Sequence, residues 1–297
     1  MDTVHKSVLL NECIEGLNLK SGALVLDGTF GGGGHSMAMC ESVKDLKIIA
    51  LDQDNDALGR GREKFKKASC DISFVHLNFR DMDKAGVEPE SVDGILLDLG
   101  LSSDQLENSL RGFSFQKDEP LLMTMKENPS EEILTAEDVV NSWSEANLAD
   151  IIYGYGEERY SRRIAKGIVD ARQKKDIKTT FDLVEIIRAS VPNSYNKGRI
   201  HPATKTFQAI RIAVNDELNT LEVGLKKGFD LLKKEGRIAV ITFHSLEDRI
   251  VKKFFKAQVE LGEGKLLYKK PLGPSAQEVK ENPRSRSAKL RILEKII

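Results

Sequence analysis

At 297 residues, 40% hydrophobic and 31% charged, the chain has the make-up of a soluble globular protein with an ample core, in one large domain or two modest ones. No apolar run approaches a membrane span, no signal-peptide pattern precedes His5, and three widely spaced cysteines (Cys13, Cys40, Cys70) point to a reducing cytoplasm, so no membrane partner is expected. The net charge of −1 conceals segregation: residues 264–297 hold nine Lys/Arg against three Asp/Glu, a surplus of six that hints at a polyanionic partner or a solvated basic surface.

In chain order, Ser7 is placed to cap a helix running through Ile14 and Leu17. Residues 23–27 read as a buried strand. They run into Asp27-Gly28-Thr29-Phe30-Gly31-Gly32-Gly33-Gly34-His35-Ser36, and a helix opens at Ser36. A glycine-rich turn between strand and helix brings backbone N–H groups onto a ligand, and glycine alone lets the backbone come that close. A P-loop fails because Gly28-x4-Gly33 lacks the following lysine. The dinucleotide fingerprint fails because Ser36 stands at its third glycine, and Asp27 would repel a pyrophosphate. A ligand carrying an ammonium and a sulfonium, S-adenosylmethionine (SAM), would welcome that carboxylate. The plainer alternative is an ordinary tight turn.

The second strand covers residues 47–51 and ends in Asp52, an acid placed to accept from ribose hydroxyls in either a SAM or an NAD site. The third covers residues 72–76, with Phe79 beyond it, a residue of the core or one lying against an adenine. The fourth, residues 92–97, ends in Asp98-Leu99-Gly100-Leu101. Apolar strands alternating with helices imply a parallel α/β sheet, whose ligands sit at the carboxyl ends of the strands. Asp27, Asp52, Phe79 and Asp98 all fall there.

The alternation then stops, and residues 105–200 read as an inserted helical domain between core segments 1–104 and 201–297. Thr135 and Thr179 look like helix starts. Arg159, Arg163 and Lys166 share a helix face suited to phosphate, although Glu157 and Glu158 are placed to pair with them. From Thr204 one long helix is expected, with Phe207, Ile210, Val214, Leu218 and Leu221 on its buried face. Its opposite side carries Lys205, Gln208, Arg211 and Asn215, which suit nucleic-acid contacts. A fifth strand at residues 237–242, a helix capped by Ser245 and a closing strand pair near residues 266–270 and 289–293 complete the chain. The scattered histidines, with no CxxC or HExxH, give no reason to expect a metal.

Taken together, these residues resemble the bacterial RsmH (MraW) family of SAM-dependent methyltransferases acting on cytosine N4 in small-subunit (16S) ribosomal RNA. The blocks are HKSVLLNE (5–12), DGTFGGGGHS (27–36), DLGLSSDQL (98–106), RGFSF (111–115), YGEER (155–159), HPATKTFQAIRIAVNDEL (201–218), FHSLEDR (243–249) and NPRSRSAKLR (282–291). The resemblance implies a Rossmann-like class I methyltransferase sheet with an inserted helical recognition domain. It also implies SAM held at Gly33, Gly34, His35, Asp52, Phe79, Asp98 and Gln105, and 16S rRNA in the small subunit as partner, with a homodimer as a candidate assembly. The chain departs from the family pattern at Leu122 and Thr124, where Asp and Arg are usual, and at Lys205, where Arg is usual.

Cytosine N4 is a poor nucleophile that must be aligned with the sulfonium methyl. Asp98 is the candidate to orient it. With Leu99-Gly100-Leu101 in place of a Pro-Pro-Tyr motif, the base-stacking ring must come from elsewhere, Phe115 or Phe243. The alternatives are a methyltransferase of another nucleic-acid amino group, an NAD-dependent oxidoreductase, and a non-catalytic RNA-binding protein that retains the fold.

Overall fold

The computed structural model describes residues 6–102, 105–106, 109–126 and 133–297. His5, Ser103 and Asp104 of the matching blocks lie outside the described residues. The chain forms two compact units, residues 1–100 with 218–297, and residues 101–217. Among the described residues, no helix is long and apolar enough to cross a membrane.

The first unit begins with α1 (Leu10–Leu17), β1 (Leu24–Asp27), α2 (Gly34–Ser42) and β2 (Lys47–Asp52). It continues through α3 (Asn55–Lys64), β3 (Asp71–His76), a 3-10 segment (Phe79–Lys84) and β4 (Val92–Asp98). Ser7 does not cap α1: Leu9 stands at the cap in the left-handed region (φ 51°), and its N–H donates to the Glu278 carboxylate.

The second unit contains α4 (Ala136–Ser142), α5 (Glu145–Gly154), α6 (Ser161–Arg172), α7 (Thr180–Ser190), α8 (Asn193–Asn196) and α9 (Thr204–Asn215). Thr135 and Thr179 each exchange hydrogen bonds with the acid three residues on, Asp138 and Asp182, which fixes where α4 and α7 start. The only pairing of strand type among the described residues here is an isolated Pro120–Thr179 bridge. Phe207, Ala209 and Ile210 of α9 sit in one apolar core with Val139, Leu148, Ile152, Ile164 and Ile187. That packing puts α9 in the second unit, so the boundary falls after residue 217 and not at 200.

The chain returns through α10 (Glu217–Leu231), β5 (Leu232–Thr242), α11 (Ser245–Glu260), β6 (Gly264–Leu266), α12 (Ala276–Glu281) and β7 (Lys289–Lys295). The one long helix expected from Thr204 is two, because Asp216 turns left-handed (φ 49°) between them. The cap of α11 is His244, not Ser245. Its ring nitrogen accepts from Glu247 N while the Glu247 carboxylate accepts from the Phe243 and His244 N–H groups.

The seven strands run in the order β3-β2-β1-β4-β5-β7-β6. Strands β1 to β5 are parallel, and β7 is antiparallel to β5 and β6. Side chains alternate across the sheet. Leu96, Ala239 and Ile241 face a core with Leu9, Cys13 and Met39, while Ile95, Leu97, Ile238 and Val240 face one with Leu225, Phe229 and Phe255. Each fully buried aliphatic side chain contributes about 1.5–3 kcal/mol, so two filled faces hold the strand ends in place. Cys40 and Cys70 are joined in a disulfide, Cα atoms 5.3 Å apart, a pairing that the wide spacing of the cysteines, read as a sign of a reducing cytoplasm, did not suggest. Cys13 remains free and buried.

Candidate active site

The glycine turn is shaped by two acids. Asp27, only 1% exposed at the end of β1, accepts from Thr29 N (3.2 Å) and from Ser36 Oγ (2.6 Å). It organises the turn from beneath and is not an open counter-charge, as the sequence alone suggested. Burial raises its pKa against the pull of the Ser36 hydrogen bond and His35. Asp52, at the end of β2, accepts from Gly31 N (2.7 Å) and Asp54 N (2.9 Å). Burial is the main cause that raises its pKa to about 6.

Gly33 needs to be glycine twice over: its φ is +67°, and an added Cβ would lie 2.5 Å from the Phe30 ring. Phe30 is itself wedged against Phe65 and Phe74, with centroids 5.8 and 5.2 Å away. Gly33 is the residue before α2, so Gly34 and His35 open that helix.

Asp98 closes β4 beside the turn. Its N–H donates to Thr29 Oγ1 at 2.6 Å, and its Oδ2 lies 3.4 Å from His35 Nε2. Asp98 Oδ1 and both ring nitrogens of His35 are buried without a hydrogen-bond partner. Such atoms are rare in a finished core and mark places where a ligand completes the bonding. Burial is the strongest influence on His35 and pulls its pKa down. Asp98, with Asp27 and Glu278 behind it, outweighs burial, so the net shift is upward.

Phe79 follows β3, and its ring packs on Gly224 of α10, where an added Cβ would come within 2.5 Å of it. Phe243, at the end of β5, lies half-buried over Gly100 (φ +106°), two residues past Asp98. The first unit thus brings Gly33, Gly34, His35, Asp52, Phe79 and Asp98 to the carboxyl edge of one sheet. A donor-accepting carboxylate, a close-approach turn and unpartnered buried polar atoms fit SAM's hydroxyls, backbone-contacting groups and ammonium. Sequence reasoning missed Thr29 and Ser36, which tie Asp98 and Asp27 to the turn; both stand inside the glycine block, where a hydroxyl between acids was the available signal.

The remaining expected residues belong to the second unit. Gln105 Oε1 accepts from Ser102 N. Phe115 is stacked on His201 (4.6 Å, 11°) and packed edge-on against Phe207. The polar side of α9 is corrected from an RNA face to an internal brace. Lys205 donates to Glu157 O, Gln208 to Tyr155 O and Asn215 to Met123 O, while Arg211 grips Glu217 through two bonds of 2.8 Å. The segment carrying Leu122 and Thr124 is secured without the family's charged pair. Arg111, 8% exposed, donates to the carbonyls of Thr124 and Met125, and Asn215 bonds Met123 and Met125. In the first unit the C-terminal basic surplus is also partly consumed: Lys289 and Arg291 pair with Asp248, and Lys295 with Glu90.

A nicotinamide-type doubly wound sheet runs 3-2-1-4-5-6 in parallel. Here a reversed β7 enters beside β5, and the glycine turn lacks the dinucleotide spacing. Fold and turn define an α/β, Rossmann-like SAM-dependent methyltransferase. Residues 2–296 match the model of the MraW methylase family, and the chain belongs to that family. It is 49% identical over 293 residues to a "Ribosomal RNA small subunit methyltransferase H" of Nostoc punctiforme, covering 99% of this chain and 94% of that one. A protein of the same name from Sulfurihydrogenibium sp. is 47% identical, covering 97% of this chain and 98% of that one. Among solved structures, a putative methyltransferase from Streptococcus mutans in complex with SAH aligns at TM-score 0.47 and 13% identity, covering 98% of this chain and 99% of that one.

Proposed function

We propose that this protein transfers a methyl group from SAM to N4 of a cytosine in small-subunit (16S) ribosomal RNA, in the cytoplasm. The observation that carries the chemistry is the Asp98 carboxylate, with Oδ2 beside His35 and Oδ1 buried without a partner. When bound, SAM supplies an electrophilic methyl on a sulfonium. The chain's part is to bind, align and unload the nucleophile. Gly33, Gly34 and His35 line the turn that holds the cofactor, Asp52 accepts from its ribose, and Phe79 borders its adenine. The family resemblance adds Gln105 as a proposed cofactor contact. Asp98 Oδ1 accepts an N4–H, which favours positive charge growing on nitrogen. As the N4–carbon bond forms and the sulfur–carbon bond breaks, the surplus N4 proton passes to Asp98 or to water. Phe243, next to Gly100, supports the flipped cytosine that such access requires. Phe115, already stacked on His201, is the weaker choice. The target class is supported by the family and by the names its relatives carry.

The experiment offers labelled SAM and purified small ribosomal subunits, then maps the product by nuclease digestion and mass spectrometry. Label in N4-methylcytosine of 16S rRNA is expected. Label on another atom or another RNA, or none with active cofactor binding, overturns the proposal.

A further inference from the structure

At the start of α6 the second unit holds an arginine against two tyrosines. Arg159 Cζ lies 4.8 Å from the Tyr160 ring centre and 5.1 Å from that of Tyr195. The rings meet edge to face at 5.0 Å, and Arg163 adds a second guanidinium 5.9 Å from Tyr160. The stack is fixed from below by Glu158, which is fully buried. One of its oxygens accepts from Tyr160 N and the other from the Tyr195 hydroxyl. Burial, and then that carboxylate, push the Tyr195 pKa up to about 12, so the phenol stays a donor across the working pH range.

Sequence reasoning expected Glu157 and Glu158 to neutralise the arginines. The structure gives Glu158 to the tyrosine instead. Arg159, Arg162 and Arg163 are exposed, and none forms an ion pair among the described residues. Lys166 is the cation of this face that finds a carboxylate, Asp170 at 3.5 Å. Arg188 stands close enough to depress the pKa of His201, second to burial. A buried acid therefore orders the platform without cancelling its charge.

We infer that Arg159, Arg163, Tyr160 and Tyr195 form a docking surface for single-stranded RNA, gripping a phosphodiester through the guanidinium edges and a neighbouring base through stacking. This rests on the reading of the substrate as ribosomal RNA. A guanidinium held over an aromatic ring can still offer N–H groups for a two-pronged bond to phosphate, which a lysine cannot make. Bases stack readily on tyrosine and arginine planes. Because Glu158 holds the Tyr195 hydroxyl and the Tyr160 backbone in place beforehand, less freedom is lost on binding. Multiple uncompensated cations interleaved with aromatics complement a polyphosphate backbone.

The test measures binding of 16S rRNA and of a short oligocytidylate against salt for the full-length protein, R159A, R163A and R159K. SAM affinity and thermal midpoint are read in parallel. R159A is expected to weaken rRNA binding tenfold or more and to flatten the log–log salt slope by about 0.7 per lost phosphate contact, with SAM affinity unchanged. R159K, which keeps the charge and loses the fork, should keep most of the slope and lose part of the affinity. Unchanged slopes in variants that still bind SAM overturn the surface, as does weakening by R159K of the thermal midpoint alone. Tighter retention of an acidic peptide than of oligocytidylate would likewise overturn it. If the unaltered protein fails to methylate rRNA, the function above falls, while the salt slopes still judge the surface.

Discussion

Asp52 and Asp98 end neighbouring parts of the same sheet edge, and their surroundings set them different tasks. Asp52 has two backbone donors and a pKa of about 6. Ribose hydroxyls donate better to a carboxylate than to a carboxyl, so SAM affinity is expected to fall between pH 7 and pH 5. Stability runs the other way. The folded carboxyl holds its proton up to about pH 6, whereas the unfolded one releases it near 4. The folded state therefore gains relative stability as pH falls through that window and loses it as pH rises. Calorimetry with SAM and urea midpoints at the two pH values check this; Asp52→Asn should flatten both, and a pH-dependence surviving in that variant assigns it elsewhere. Asp98→Asn removes the charge and keeps an acceptor oxygen. Turnover at saturating SAM is expected to fall tenfold or more, about 1.4 kcal/mol or above in the barrier. Full turnover with only a raised SAM Michaelis constant would return Asp98 to a purely cofactor-binding role.

At the scale of elements, α10 reaches the site through a missing side chain. Gly224 is where the Phe79 ring rests. Gly224→Ala raises helix propensity by about 1 kcal/mol, yet its methyl lands within 2.5 Å of the ring. The expected outcome is a protein that stays folded by circular dichroism while SAM affinity drops severalfold. Equal affinity would show that Phe79 is not a wall of the cofactor site. The same elements show how far sequence could be read. Strands β1 and β4 were legible because apolar runs buried on both faces have few other fates, and the edge strand β3, with no fully buried residue, was legible from its Ile72, Phe74 and Val75. The glycine turn was legible because its spacing excludes two phosphate loops. The break at Asp216 was not, since an acid in the left-handed region leaves no Gly or Pro behind. Nor was the contact of His35 with Asp98, or the Cys40–Cys70 bond, since both join α2 to residues distant in sequence that no local pattern brings together. The polar face of α9 misled because periodicity shows which residues share a side, not whether carbonyls of the same unit already wait there.

Across the whole molecule, one pairing of consecutive strands is split by a long stretch of chain. β4 pairs with β5, Asp98 opposite Ile241, yet all of the second unit is encoded between them. On a translating ribosome adding about 5–20 residues per second, β4 waits on the order of ten seconds for its partner. During that time its apolar edge is a template for wrong pairings. The second unit has its own core and needs no such wait. A chain ended at residue 217 should accordingly protect amides of α4 to α7 from hydrogen exchange while β1 to β4 exchange freely; protection of β4 in that chain would refute the order. On that order of events the cell must shelter a half-built sheet through each round of synthesis, and the candidate site edge, with Asp98 at its seam, is completed only once β5 has emerged.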